Sequence, residues 1–152
     1  MRAIRTRDAV PAGLRRALEQ ALGSPVDEVV LCERSLFARL HGGARATTRR
    51  NAIYLRGSLE EFLRDPELVL HEYYHVLKQW NRGRMTLWRY LVECGRHGYW
   101  QNRYERHARR FAASRLARFR RTLAGTPAGL APPRRINLVG SGSDPGLGES
   151  GA

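Results

Sequence analysis

The stretch LVLHEYYHVLKQW, residues 68–80, carries two histidines four residues apart, with a glutamate directly after the first. At 100° per residue, its apolar side chains cover most of a helical wheel and leave one polar arc of about 120°. That arc contains His71, Glu72, His75, Lys78 and Gln79. A helix that is apolar nearly all round is buried, so this narrow polar stripe must face either water or a cleft.

The spacing of the two histidines matches the needs of a zinc ion. Side chains at i and i+4 of a helix present two imidazole nitrogens to one point, and zinc binds neutral imidazoles at about 2 Å. Glu72 lies one position round from His71, where its carboxylate can accept a proton from a water at the zinc. The pattern therefore predicts zinc ligands at His71 and His75 and a catalytic base at Glu72. The alternative is a helix with two histidines in ordinary hydrogen bonds and a surface glutamate.

A catalytic zinc site needs a third protein ligand and one open position. Lys78 stands where the extended motif HExxHxxGxxH has its glycine, so the third ligand must come from further along the chain. Five downstream residues carry suitable ligand atoms. They are Glu93, Cys94, His97, Glu105 and His107.

Glu105 is the favoured third ligand because of its place on a predicted helix at 102–123. It shares one face with five apolar residues: Ala108, Ala112, Leu116, Phe119 and Leu123. An unpaired buried carboxylate is costly, and a zinc ion would remove that cost. An ion pair with an arginine is the alternative role for Glu105. His107 points away from this face, whereas Glu93 and His97 share a face of the preceding helix and are the second choice.

Periodicity and turn residues predict an α+β fold with a short antiparallel or mixed sheet. Asp65-Pro66 opens the helix that carries the quoted stretch, because aspartate caps helices and proline suits the first turn. Two further helices follow, at 86–97, ended by Gly98, and at 102–123. The remaining predicted elements are a helix at 11–22, a strand at 28–33, a strand or turn at 35–40, a connection at HGGARATTRR (41–50), a strand at 51–57 and a helical turn at 59–64.

Composition predicts one domain, residues 1–123, followed by a flexible tail at 124–152 that is rich in glycine, proline and serine. No apolar run suggests a secretory signal or a membrane helix, so a cytoplasmic location is expected. The net charge is +13, yet only Lys78 among the 27 basic residues is lysine. This charge keeps nucleic-acid binding as an alternative function.

Four segments in order, HGGARATT, NAIYL, LVLHEYYHVLKQW and YERHARRFA, carry a family resemblance. The region from about residue 40 to 111 resembles a bacterial zincin-like metallopeptidase domain of unknown function. The resemblance implies a gluzincin-like site, in which His71, His75 and Glu105 bind zinc and Glu72 is the catalytic base.

These observations lead to the hypothesis of a zinc metallopeptidase-like hydrolase acting on a peptide or protein. The strand at 51–56 would be an edge strand able to pair with an extended substrate. A tyrosine could stabilise the oxyanion, and the nearest in sequence are Tyr90, Tyr99 and Tyr104. A zinc-containing interaction module without turnover is the second alternative. Substrate and oligomeric state stay open.

Overall fold

A four-stranded mixed sheet forms the centre of the fold, in a computed structural model that describes residues 1–40 and 44–125. The spatial order of the strands is β1-β2-β4-β3. Strand β2 pairs antiparallel with β1 and parallel with β4, and β3 pairs antiparallel with β4. The strands are β1 (Arg2–Arg5), β2 (Val30–Glu33), β3 (Ala46–Arg49) and β4 (Ala52–Leu55). The predicted α+β class with a mixed sheet is confirmed.

Helices pack on this sheet, and the longest of them follow it in the chain. The described helices are α1 (Thr6–Ala9), α2 (Ala12–Leu22), α3 (Leu36–Leu40), α4 (Leu59–Leu63), α5 (Pro66–Tyr74), α6 (Leu87–Gln101) and α7 (Arg103–Ala124). Helix α5 continues directly into a π-helical stretch, His75–Trp80, here called the π segment. Its wider turn is visible where the Asn81 N–H donates to the Val76 carbonyl, five residues back, at 2.8 Å.

Helix α5 begins where the sequence predicts. The Asp65 side chain accepts a hydrogen bond from the Leu68 N–H at 3.1 Å, and Pro66 occupies the first helical position. This cap satisfies a backbone donor that would otherwise lack a partner at the helix start. Arg45 holds the same carboxylate at 2.6 Å. The start of α5 is therefore set by Asp65 and Pro66, the residues at the helix start itself.

Helix α5 is held in place by burial on several sides. Val69, Leu70 and Tyr73 are fully buried in the main hydrophobic cluster. The Thr6 hydroxyl donates to the Val29 carbonyl at 2.9 Å, so at 2.7 Å it accepts from the Tyr73 hydroxyl. A buried tyrosine needs such a partner, and this one ties α5 to the segment after β1.

Helix α7 crosses α5 through small side chains. Ala108 and Ala112 are both fully buried, which lets the two helix backbones approach closely. Beside them, the rings of Tyr74 and Phe111 stack with centroids 4.6 Å apart. The predicted inner face of this helix, including Glu105 and Phe119, is buried as expected.

Three predictions in the first half of the chain are wrong. Residues 36–40 form helix α3, not the strand or turn expected at 35–40. The supposed connection at 41–50 contains strand β3, whose alternation of buried and half-buried residues marks a sheet position. Consequently β4, the predicted edge strand, lies between β2 and β3, and β3 is the edge. Polar threonines hid β3 because edge strands do not need continuous apolar sequence.

Helix α7 matches its predicted limits closely, whereas α6 starts as predicted but continues past Gly98 to Gln101 instead of ending at residue 97. Gly98 interrupts α6 with φ 72° and ψ 167°, as its role as a helix stop requires. Helix α7 ends at Ala124, and the predicted tail lies almost wholly outside the described residues, so the division at residue 123 stays a prediction. None of the described helices has the length and apolarity to cross a membrane.

Candidate metal centre

His71, His75 and Glu105 converge on one point between α5 and α7. The two histidine Nε2 atoms lie 3.0 Å apart. Glu105 approaches them with Oε2 at 3.2 Å from His71 Nε2 and Oε1 at 3.5 Å from His75 Nε2. One ligand atom from each residue lies within 4.8 Å of the others, and no second such group of three occurs in the described residues. Two imidazoles and a carboxylate aimed at one point could hold a metal ion.

The helices position these side chains by simple geometry. His71 and His75 lie one turn apart on α5 and the start of the π segment, so they share a face. Glu105 lies in the first turn of α7, one turn before the buried Ala108. Close packing at the alanines brings the carboxylate within reach of both imidazoles. Burial is deep, because Glu105 is 4% exposed and His75 is 3% exposed.

A hydrogen-bond chain orients the ring of His75. The Gln79 Nε2 donates to the Tyr104 backbone carbonyl at 3.0 Å, which turns the amide oxygen toward His75. That oxygen accepts from His75 Nδ1 at 2.7 Å. With the proton on Nδ1, the neutral imidazole directs the free lone pair of Nε2 at the centre. This outer partner is the kind that fixes the tautomer of a metal-binding histidine.

Glu105 is a carboxylate with one satisfied and one orphaned oxygen. The Tyr90 hydroxyl donates to Oε1 at 2.9 Å. Oε2 is buried, and although His71 Nε2 lies 3.2 Å away, Oε2 forms no well-directed hydrogen bond with any residue of 1–40 and 44–125. Burial works to raise the pKa of Glu105, but the two neighbouring imidazoles outweigh it and hold the pKa well below the ordinary value. The group is therefore an ionised carboxylate with a free lone pair at the centre.

The centre favours a positive charge. Burial alone would lower the pKa of His75, but the hydrogen bond and negative charge of Glu105 raise it above its ordinary value. The ion pairs of Glu105 within the described residues are with His71 and His75, and none is with an arginine, so a proton or a metal ion would supply that charge. The orphaned Oε2 and the oriented Nε2 lone pair both suit a metal ion. The residues present therefore fit a bound metal.

Glu72 lies beside the centre with a free carboxylate. It is 6% exposed, and its side chain makes no hydrogen bond or ion pair with any described residue. Burial raises the pKa of Glu72 above its ordinary value, although the charges of the two histidines oppose this. A carboxylate with a raised pKa and no fixed hydrogen-bond partner is suited to accept and return a proton.

The other candidate ligands lie elsewhere. Glu93 accepts from the Arg103 N–H at 3.4 Å, and Cys94 accepts from the Asn102 side chain at 3.1 Å. His97 and His107 are exposed. None of these four residues belongs to the convergent group.

The three candidate tyrosines have different surroundings. Tyr90 is engaged with Glu105, and burial together with that carboxylate raises its pKa, so it remains a hydrogen-bond donor. Tyr104 contacts the Arg84 carbonyl and Arg103. Burial and the charges of Glu105 and Glu72 raise the pKa of Tyr99, which is 48% exposed.

Sequence reasoning assigned no role to Gln79 or Asn102. Gln79 belongs to the polar arc of residues 68–80. It is only 3% exposed, and this burial distinguishes it from neighbouring Lys78. Asn102 is fully buried, and its side chain caps α7 by accepting from the Tyr104 N–H at 2.9 Å. An asparagine before a predicted helix is a signal for that cap. This cap fixes the first turn, which carries Glu105.

We expect Gln79→Ala to weaken zinc binding by about 10–100-fold, the usual cost of losing an outer partner of a metal ligand. Gln79→Glu should recover part of the loss, because a carboxylate can still accept from His75 Nδ1. The measurement is competition with a chromogenic zinc chelator. Gln20→Ala, at an exposed position on α2, is the matched control and should bind zinc normally. Equal affinity for Gln79→Ala and Gln20→Ala would contradict this role.

Part of this site lies in a region that matches a known protein family. No curated protein and no solved structure gives a match. The matched region, 9–83, spans just under half of the chain and includes His71, Glu72 and His75, whereas Glu105 lies beyond it. Residues 9–83 match the family model of the eCIS core domain, a domain of extracellular contractile injection systems.

Proposed function

We propose that this chain is a zinc-dependent hydrolase of the metallopeptidase type, with zinc held by His71, His75 and Glu105. The observation that carries the proposal is the convergence of these three side chains on one buried point. Three protein ligands leave one coordination position open, which is the arrangement of catalytic rather than structural zinc sites. The resemblance to zincin-like domains supports the same assignment.

Zinc is the favoured metal because of the donor set. Two imidazoles and one carboxylate are the ligands of zinc peptidases, whereas calcium and magnesium prefer sites made of oxygen. Iron in a two-histidine, one-carboxylate site is the main competitor. The neighbouring free carboxylate of Glu72 favours hydrolysis, since a general base has an evident use there.

The chain's own residues would divide the work of peptide hydrolysis. A bound zinc ion would supply Lewis-acid chemistry, polarising the scissile carbonyl and lowering the pKa of the attacking water. Glu72 would take the proton from that water and return it to the leaving amine. Gln79 and Tyr90 would keep His75 and Glu105 in orientation. Tyr99 stays a candidate for oxyanion stabilisation, because it lies close enough to Glu105 and Glu72 for their charges to raise its pKa.

The edge strand β3 is the proposed docking place for an extended peptide. It packs against α5 and the π segment, and the Trp80 Nε1–H donates to Thr48 Oγ1 at 3.1 Å. One side of β3 pairs with β4, and no described strand pairs with its other backbone edge. A substrate strand added there would gain backbone hydrogen bonds close to the metal centre.

The test is hydrolysis of a broad peptide library by the full chain. We expect cleavage by the zinc-loaded protein, loss of cleavage after dialysis against a chelator, and recovery on adding zinc. Protein passed through the same dialysis without chelator is the control. Zinc binding without cleavage of any library member would instead favour a zinc-containing interaction module. The nucleic-acid alternative stays a prediction that rests on the net charge of +13.

A further inference from the structure

A cavity lies on the face of the sheet opposite to helix α5. Along β4, Ile53 faces the main core, so the next residue, Tyr54, faces the opposite side. There Tyr54 meets Phe37 of α3 edge to face, with ring centroids 5.2 Å apart. The cavity beside this pair measures about 520 Å³, a size that accommodates a small organic molecule.

Two arginines line this cavity without acidic partners. Arg49 lies over the Phe37 ring at 5.0 Å and over the Trp80 ring at 5.7 Å, so its guanidinium is held between aromatic surfaces. Arg34 lies on the rim in a left-handed backbone conformation, with φ 50°. Neither guanidinium forms an ion pair with a described residue, and no described acidic side chain lines the cavity. The cavity therefore carries uncompensated positive charge.

Ser35, one of the residues that line the cavity, has a buried hydroxyl that lacks a partner. Ser35 is fully buried, and its Oγ makes no hydrogen bond to any residue in the described ranges. Leaving such a donor unpaired is costly, because it has lost its hydrogen bonds to water. An acceptor atom of a ligand would remove that cost. Apolar surface surrounds these donors, since Leu36 on the rim is 69% exposed.

We propose that this cavity binds an organic carboxylate with an apolar or aromatic body. The fork of Arg49 matches the two carboxylate oxygens, Ser35 donates its hydroxyl hydrogen, and Arg34 adds charge at the rim. Phe37 and Tyr54 pack against the apolar body. Such a group occurs both in free acids and at the carboxyl end of a peptide, and binding assays can separate these sources.

The experiment follows backbone and arginine Nε resonances of the full chain during titration with 3-phenylpropionate. We expect saturable shifts at Arg34, Ser35 and Arg49, with a Kd of about 1 mM or tighter for a ligand of this size. The neutral analogue 3-phenylpropanamide and plain acetate should each bind at least about 10-fold more weakly, because one lacks the charge and the other the apolar body. Tighter binding of N-acetyl-Leu-Phe than of 3-phenylpropionate would assign the site to peptide chain ends, and the reverse order would assign it to free acids.

Two variants and one control substitution give the cavity its specific test. Arg49→Met keeps an unbranched apolar chain but removes the guanidinium, and should weaken binding about 10- to 100-fold. Arg50→Met removes the same charge from the exposed neighbouring position and should change binding little. Ser35→Ala should cost about 3- to 10-fold, and decides the matter if Arg49→Met disturbs the fold. Absence of saturable shifts in the unchanged protein, equal binding of the amide, or equal effects of Arg49→Met and Arg50→Met would overturn the proposal.

Discussion

Replacing Glu72 by glutamine is expected to lower peptide hydrolysis by about 10²–10⁴-fold, the usual contribution of general acid–base catalysis. The amide keeps the size of the side chain and can still accept a hydrogen bond, but it cannot take up a proton. Zinc content should stay near that of the unchanged protein, because Glu72 is not one of the three convergent ligands. The measurement is cleavage rate at equal zinc occupancy.

The matched control for this variant is Glu67→Gln. Glu67 is an exposed glutamate in the first turn of the same helix, so its replacement removes the same charge away from the centre. Its cleavage rate should remain within about twofold of the unchanged protein, because exposed charges contribute little over distance at ordinary ionic strength. Undiminished hydrolysis by Glu72→Gln would falsify the assignment of the base.

His71→Ala and Glu105→Gln are each expected to reduce zinc affinity by more than about 100-fold, beyond the 10–100-fold typical of outer partners. The first removes an imidazole. The second keeps the shape of the side chain but removes the negative charge that offsets the metal. Zinc content after exhaustive dialysis should fall from about one ion per chain to near zero. Metal analysis by mass spectrometry provides the measurement.

Thermal unfolding gives a second readout for the same variants. Zinc at 100 times its Kd stabilises a folded protein by about 2.7 kcal/mol, so added zinc should raise the Tm of the unchanged chain but not of the variants. His97→Ala and His107→Ala are matched controls, because both histidines are exposed on neighbouring helices outside the convergent group. If His107→Ala lost zinc as fully as His71→Ala, the ligand set would be wrong.

Local sequence determined the histidine helix and its chemistry. Asp65-Pro66 starts α5 through a cap that needs only neighbouring residues, and helical periodicity alone places His71 and His75 on one face. The same periodicity separates Glu105 from the arginines of α7 and assigns it to the buried face. These features depend on contacts within one or two turns, which a sequence displays directly.

Strand order was decided only by the tertiary structure. The segment 46–49 is short and mostly polar, and two glycines lie three and four residues before it. Local sequence propensity therefore favours a connection there. The segment forms β3 because β4 offers a ladder of backbone partners on that side, with Thr48 paired to Ile53. Pairing between strands does not depend on the apolarity of either one, and so β4 could not be recognised as an interior strand.

The completed centre likewise required the packed fold. The sequence named Glu105 as one of five candidates, and the crossing of α5 and α7 at Ala108 and Ala112 is what brings its carboxylate to the histidines. The orientation of His75 depends on Gln79 and on a backbone carbonyl of Tyr104, a contact across 25 positions of the chain. Helical periodicity specifies which way a side chain points along one element. The distance between two elements depends on how their side chains interlock, and only the assembled core defines it.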